Sequence, residues 1–194
     1  MDPLAHHFLT LAYNNAWANH RLLKVCSRLS QNDFSAIRTS FFPSISATLN
    51  HILTVDWFYI DALERSIRGE PINHQAWKFF EADEPYKTCD ALKAQQRKTD
   101  QRLIAVCQTL DAKLLKNSVD ISRHDAVQTE QMSRLLTHLF QHQIHHRGQV
   151  HAMLAGTPVS PPQLDEFFCA DEAALRADDF QELGFSEQTI WASQ

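Results

Sequence analysis

The sequence predicts an all-α fold: a four-helix bundle with long crossover connections and a C-terminal extension of short helices. Three observations carry this expectation. Glycine occurs only 4 times in 194 residues, which leaves few of the turns that a sheet protein needs. Ala, Leu, Gln, Glu and Lys, all strong helix formers, recur throughout. Four long segments repeat apolar residues at alternating threes and fours, the period of a helix with one buried face. Hydrophobic residues make up 44% of the chain, which excludes a disordered polymer, and the length suits one sizeable core.

The first helix is expected from Pro3 to Leu29, with Phe8, Leu11, Ala12, Leu22, Val25 and Leu29 at apolar positions. The second starts at Pro43, a favourable first-turn residue, and runs to about Arg68, where Gly69 and Pro71 stop it. Residues 70–86 are irregular and aromatic, which reads as a long loop or short helical turns lying over the bundle. A third helix fits Lys87 to Asp111. The stretch KNSVDISRHDAVQTEQ then breaks the period, and its short alternations fit either a small hairpin or an extended crossover. The fourth helix is expected from Glu130 to Ala155, ended by Gly156 and Pro158. Residues 1–157 thus form the bundle, and the Pro-rich, acidic residues 158–194 form an extension that packs on it.

Charge and targeting signals narrow the function. A net charge of −5, with no Lys/Arg run, argues against a nucleic-acid partner bound through its phosphates. The apolar runs are far too short to span a membrane, and the start of the chain lacks the pattern of a signal peptide. A cytoplasmic location is expected. Cys26, Cys89, Cys107 and Cys169 show no metal-type spacing, so free thiols are expected.

The informative stretch is HLFQHQIHHRGQVH, from His138 to His151, which holds five of the chain's 11 histidines. Buried imidazoles need partners for their ring nitrogens, so such a cluster calls for a use. With His142 as reference, His138 and His146 fall about 40° to either side, with Leu135, Gln149 and Met153 between them. This face is expected to point inward. His145 lies on its flank and His151 on the opposite side. Histidines four apart on a helix converge on a single metal ion, and both the 138/142 and 142/146 pairs have that spacing. Spacing alone leaves the choice open. A third ligand is available from the second helix, where His51 sits within a stripe of Ser44, Ala47, Val55, Phe58 and Ala62. No H-E-x-x-H or E-x-x-H occurs, so neither a zincin nor a carboxylate-bridged di-iron bundle is supported. His124 with Asp125 has the form of the His-Asp pair of helical phosphohydrolases, but it lies in the least helical stretch.

Other residues are weighed on position. Arg147 leaves the metal-facing stripe and is expected to pair with an acid at the rim. Gln149 faces inward and either orients a ligand or bonds to another helix. Gly148 weakens its helix by about 1 kcal/mol relative to Ala, which points to a close approach there by another helix or a ligand. Asp56 turns away from His51 and is expected at a helix interface. Tyr13, Trp17, Trp57, Phe58 and Tyr59 belong to the core or to the mouth of a pocket. Leu164, Phe167 and Phe168 suggest that the tail is a lid.

The stretches LNHILTVDWFYIDAL from Leu49 and HLFQHQIHHRGQVHAML from His138 resemble the DinB/YfiT-like superfamily of metal-binding four-helix bundles, and YNNAWAN at Tyr13 resembles its first-helix motif. In that superfamily the histidine pair before R-G-Q holds the metal. The resemblance therefore implies His51, His142 and His146 as ligands, with His138 and His145 outside them. Three imidazoles leave an open coordination position, and nitrogen ligands suit zinc or nickel, with iron also accepted. The resemblance further implies a metal-dependent enzyme for small molecules, such as a thiol-dependent S-transferase or a hydrolase, a low-molecular-weight thiol such as bacillithiol or mycothiol as partner, and a homodimer. The competing readings are a metal-binding stress-response protein without turnover and a helical dimer with structural histidines.

Overall fold

Asp2 opens the first helix, its carboxylate accepting the backbone N–H groups of Leu4 and Ala5 at 3.0 and 3.1 Å, with Pro3 in the first turn. The computed structural model describes residues 2–124 and 126–191. In it α1 spans Pro3–Cys26 and is followed by a short helix, α2, at Gln31–Ser35. The long helix α3 covers Ile45–Arg68 and α4 covers Cys89–Gln108. A hairpin of β1, Ser118–Arg123, and β2, Ala126–Gln131, leads directly into α5 at Met132–Leu154. Two helices close the described chain, α6 at Ala173–Leu183 and α7 at Glu187–Trp191.

The four long helices form the expected bundle. Their ends match the sequence reading to within three residues, and the differences have identifiable reasons. Ser30 does not trail the first helix. It caps α2, its hydroxyl accepting the Asp33 N–H at 3.1 Å. Pro43 lies outside α3, because Ser44 takes the cap position and accepts the Ala47 N–H at 3.0 Å. Gly69, at φ 66°, ends α3 in the left-handed conformation that favours glycine. The stretch after α4 resolves as the hairpin, with Ser118 opposite Gln131 and Ile121 opposite Gln128.

Around the bundle, α1 packs between α4 and α5, and α3 packs between the same two helices. The buried residues separate into two apolar layers. One holds Trp17, Phe58, Leu63, Leu103 and Leu139, and the other holds Leu22, Leu49, Ile52, Leu92 and Val150. Helices α1 and α5 run from the first layer to the second, and α3 and α4 run the other way. Parallel neighbours such as α3 and α4 need a connection that returns along the bundle. Residues 69–88 supply it, placing Phe80 on Phe58 at 5.2 Å between ring centroids and Tyr86 beside Asn50, whose amide donates to the Tyr86 carbonyl at 2.9 Å.

The chain after α5 packs against α1. Phe167 is buried on Trp17, with ring centroids 5.7 Å apart, and Phe185 meets Tyr13 at 5.0 Å. Arg21 pairs with Asp179 at 2.7 Å and with Glu166, while Lys24 pairs with Glu182 at 2.5 Å. Arg176 is buried against Glu187 at 2.8 Å and donates to the carbonyls of Glu166 and Cys169.

Candidate metal centre

Between the two apolar layers lies a polar one, and it fixes how α5 is turned. Gln143 is 0% exposed and Arg147 5% exposed, at the centre of the buried face of α5. With Gln143 as reference, Leu136, Leu139, Arg147, Val150 and Leu154 all fall within about 40°. The inward face is therefore rotated by about 100° from the one centred on His142. The expectation that three histidines would occupy that face is corrected: His138 is exposed, His142 is half-buried and His146 is buried at the edge.

The polar layer joins all four long helices. The Arg147 Nη1 donates to Asn19 Oδ1 at 3.0 Å and to Asn15 Oδ1, both on α1. Asn15 and Asn19 donate to the Asp100 carboxylate on α4, at 3.3 and 2.9 Å. Gln96 Nε2 bridges Asp100 and Asp56, at 3.1 and 2.8 Å, and Gln143 Nε2 donates to Asp56 on α3. Arg147 thus lies in the interior among amides, where a rim pairing with an acid had been expected. Burial raises the pKa of Asp56 to about 8, helped by the neighbouring Asp100, and burial raises that of Asp100 to about 7. Burial lowers the Arg147 pKa to about 10, so the guanidinium stays charged. The Arg147 cation faces two carboxylates, and a proton retained by the acids balances the layer.

The histidines occupy the same level, on the seam between α3 and α5. His51 Nε2 lies 3.0 Å from His142 Nε2 across 91 residues of sequence. The His51 and His146 rings are 4.7 Å apart, and those of His142 and His146 4.3 Å. One ligand-capable atom from each of His51, His142 and His146 falls within 4.8 Å of the others. Nitrogens bound tetrahedrally at about 2.0 to 2.1 Å from a zinc ion lie roughly 3.3 Å apart, so a small inward movement makes the three a ligand set. Their chemistry fits as well. Burial, with the neighbouring His146, lowers His51 to about 4, and burial with the surrounding histidines lowers His142 to about 3. Burial also lowers His146. All three are neutral at pH 7, with lone pairs available to a cation. His142 Nδ1 is buried with no hydrogen-bond partner among the described residues.

A cavity opens beside His51, walled by Phe42, Ala47, Thr54, Phe80, Asp83 and Glu84. Phe42 stacks over His51 at 4.2 Å and approaches His146 at 5.5 Å. Its apolar cover thus comes from the loop before α3 and from the 69–88 crossover. The C-terminal aromatics proposed as a lid line a different groove, over Gly148, Ile144 and His151. Nothing approaches the position that a Gly148 Cβ would occupy, so the close helix contact expected there is absent among the described residues.

The remaining sequence candidates separate cleanly. His138 packs on Tyr59 at 5.4 Å, outside the three-histidine group. Gln149 Oε1 accepts from His146 Nδ1 at 2.8 Å, so it orients a ring rather than bonding to another helix. Asp56 sits at the helix interface, as its angle implied. Trp17, Tyr13, Phe58 and Tyr59 are core residues, and half-buried Trp57 donates to Thr99 Oγ1 at 3.0 Å. His124 is an exposed turn residue, and Asp125 lies outside the described residues. All four cysteines are free. A second group, His20 with Asp179 and Glu182, also has metal-like spacing, but Arg21 and Lys24 already pair with its carboxylates. The sequence reading missed Asn15, Asn19, Gln96, Asp100 and Gln143. Their signal is the i, i+4 spacing of polar pairs on three helices: Asn15/Asn19, Gln96/Asp100 and Gln143/Arg147.

The molecule is a four-helix bundle in which three imidazoles gathered on one seam have the spacing that could hold a metal ion. The DinB family profile matches residues 4–182, and the chain belongs to the DinB family. The crystal structure of a DinB-like protein from Bacillus cereus has the same fold, with a TM-score of 0.60 and 19% identity over 80% of this chain and 94% of that one. No curated protein matches the chain. No helix among the described residues is long and apolar enough to cross a membrane.

Proposed function

We propose that the protein is a metal-dependent enzyme acting on small molecules, with His51, His142 and His146 holding a divalent transition metal ion. The observation that carries this reading is the meeting of neutral imidazoles from two helices, with His51 Nε2 and His142 Nε2 3.0 Å apart. Such rings repel one another when protonated and bind a cation well when neutral. Nitrogen ligands without a carboxylate suit zinc or nickel, and also iron. An ion held by three protein ligands keeps a position for a water, a thiol or a carbonyl, and acidifies or polarises what binds there. The family relationship and the apolar walls of Phe42 and Phe80 support an organic substrate, and we favour S-transfer from a low-molecular-weight thiol, or hydrolysis. In this reading the bundle of residues 1–157 carries the chemistry, and the chain after Pro158 braces α1.

The test starts from protein purified without an affinity tag. One equivalent of bound metal is expected, lost in H142A, H146A and H51A. Saturation at about 100 times Kd should stabilise the protein by about 2.7 kcal/mol. Turnover with a panel of thiols and electrophiles, lost with the metal, supports an enzyme. Metal binding without turnover favours a binding protein, and no binding sinks the proposal.

A further inference from the structure

We infer that Gln149 is a positioning residue that presents His146 to the metal through Nε2, and that His145 sets which end of the Gln149 amide does so. This rests on the proposal that His146 is a metal ligand. The three residues form a chain on the surface of α5. Gln149 Oε1 lies 2.8 Å from His146 Nδ1, and Gln149 Nε2 lies 3.1 Å from His145 Nε2. The spacings of three and four residues place all three side chains on adjoining turns.

A neutral imidazole carries its proton on one nitrogen and its lone pair on the other. An amide oxygen at Nδ1 requires the proton there, which leaves the lone pair on Nε2, the ring nitrogen then free for a cation shared with His51 and His142. The free side chain favours the opposite tautomer, with its proton on Nε2, which must be lost before a metal can bind. A ligating histidine ordinarily has such a partner on its other nitrogen. His142 does not, since its buried Nδ1 lacks one among the described residues.

The amide of Gln149 has two unlike ends, and reversing it would point an N–H₂ at His146 Nδ1 and stabilise the wrong tautomer. With its own proton on Nδ1, His145 accepts at Nε2 from Gln149 Nε2 and so holds the oxygen end toward His146. This gives the adjacent pair His145-His146 a division of labour: one ring is the ligand, and the other orients the amide that orients it.

The experiment uses the full chain. Long-range ¹H–¹⁵N spectra of metal-free protein read the His146 tautomer, and competition with a chromophoric chelator reads zinc affinity. The wild type is expected to carry the His146 proton on Nδ1. Gln149→Leu should shift that population toward Nε2–H and weaken zinc binding by about 10- to 100-fold. Gln149→Glu should restore both, because either carboxylate oxygen accepts the proton. His145→Ala should weaken binding several-fold when made in the wild type. Made together with Gln149→Glu it should have no effect, because a carboxylate has no wrong end. A Gln149→Leu protein with the wild-type tautomer and affinity overturns the inference, as does a Gln149→Glu protein no better than Gln149→Leu. If the wild type binds no zinc, the metal proposal fails, while the metal-free tautomer still judges Gln149.

Discussion

Removing Arg147 tests whether the polar layer holds the bundle in register. In Arg147→Met a side chain of similar length fills the space without its charge. The oxygens of Asn15, Asn19 and Gln143 then lose their donor, at about 1 kcal/mol each. Asp56 and Asp100 lose the cation of the layer, and breaking a buried charge arrangement of this kind costs about 3 to 5 kcal/mol. The two routes describe one loss and agree near 3 to 5 kcal/mol, out of roughly 5 to 15 kcal/mol for a typical domain. At about 2 to 4 °C per kcal/mol for a chain of this size, Tm should fall by about 10 °C. The assay is urea and thermal unfolding of metal-free protein, so that ligand binding does not contribute. Adding Asp56→Asn and Asp100→Asn, which removes the uncompensated carboxylates, keeps the single Asp100 oxygen that accepts three amide bonds and keeps one of the two bonded oxygens of Asp56, should recover part of the loss. An Arg147→Met protein within about 1 kcal/mol of wild type would refute the argument, since a neutral side chain would then serve as well as the guanidinium.

Asp56 also makes stability depend on pH. Its folded pKa is raised to about 8, so the native state binds more protons than the unfolded chain between the ordinary carboxylate range and pH 8. Its contribution is complete below that range and is lost as pH rises through the folded pKa, at up to about 1.4 kcal/mol per pH unit. The lowered histidines act with the opposite sign, but only below about 6.5. Between pH 6.5 and 8 the urea midpoint of metal-free wild type should therefore fall, and that of Asp56→Asn should fall less, because Asp100, raised to about 7, is then the remaining buried carboxyl of the layer that loses its proton there; parallel curves would exclude Asp56 as the source. Phe167→Ala should cost about 3 to 5 kcal/mol, because its ring is fully buried on Trp17. The accompanying loss should appear in the Trp17 environment by fluorescence, with metal affinity unchanged, because the tail lies away from the histidine seam. Weakened metal binding in Phe167→Ala would return the tail to the role of a cover.

What the sequence disclosed and what it hid have a common cause. The long helices were legible because their apolar period is strong and their ends carry Pro, Ser and Gly signals. The three histidines could be placed on two helices, and only the family motif selected 142/146 over 138/142. The rotation of α5 was not legible, because averaging hydrophobicity treats Gln143 and Arg147 as outward residues. In the bundle they face inward, since Asn15, Asn19, Gln96, Asp100 and Asp56 arrive from the other helices to satisfy them. No single helix shows that its polar residue has a partner 40 or more positions away. The consequence reaches the metal centre. His142 and His146 each precede a member of the polar layer, Gln143 and Arg147, so the contacts that draw those two inward turn the histidines to the α3 seam beside His51, with His142 half-buried and His146 buried at the edge. A purely apolar inner face centred on His142 would have carried the rings into the core, where a cation would keep no open side for a substrate. The buried amides and the guanidinium thus set the depth of the imidazoles, and under the proposed function that depth is what leaves an ion an open side.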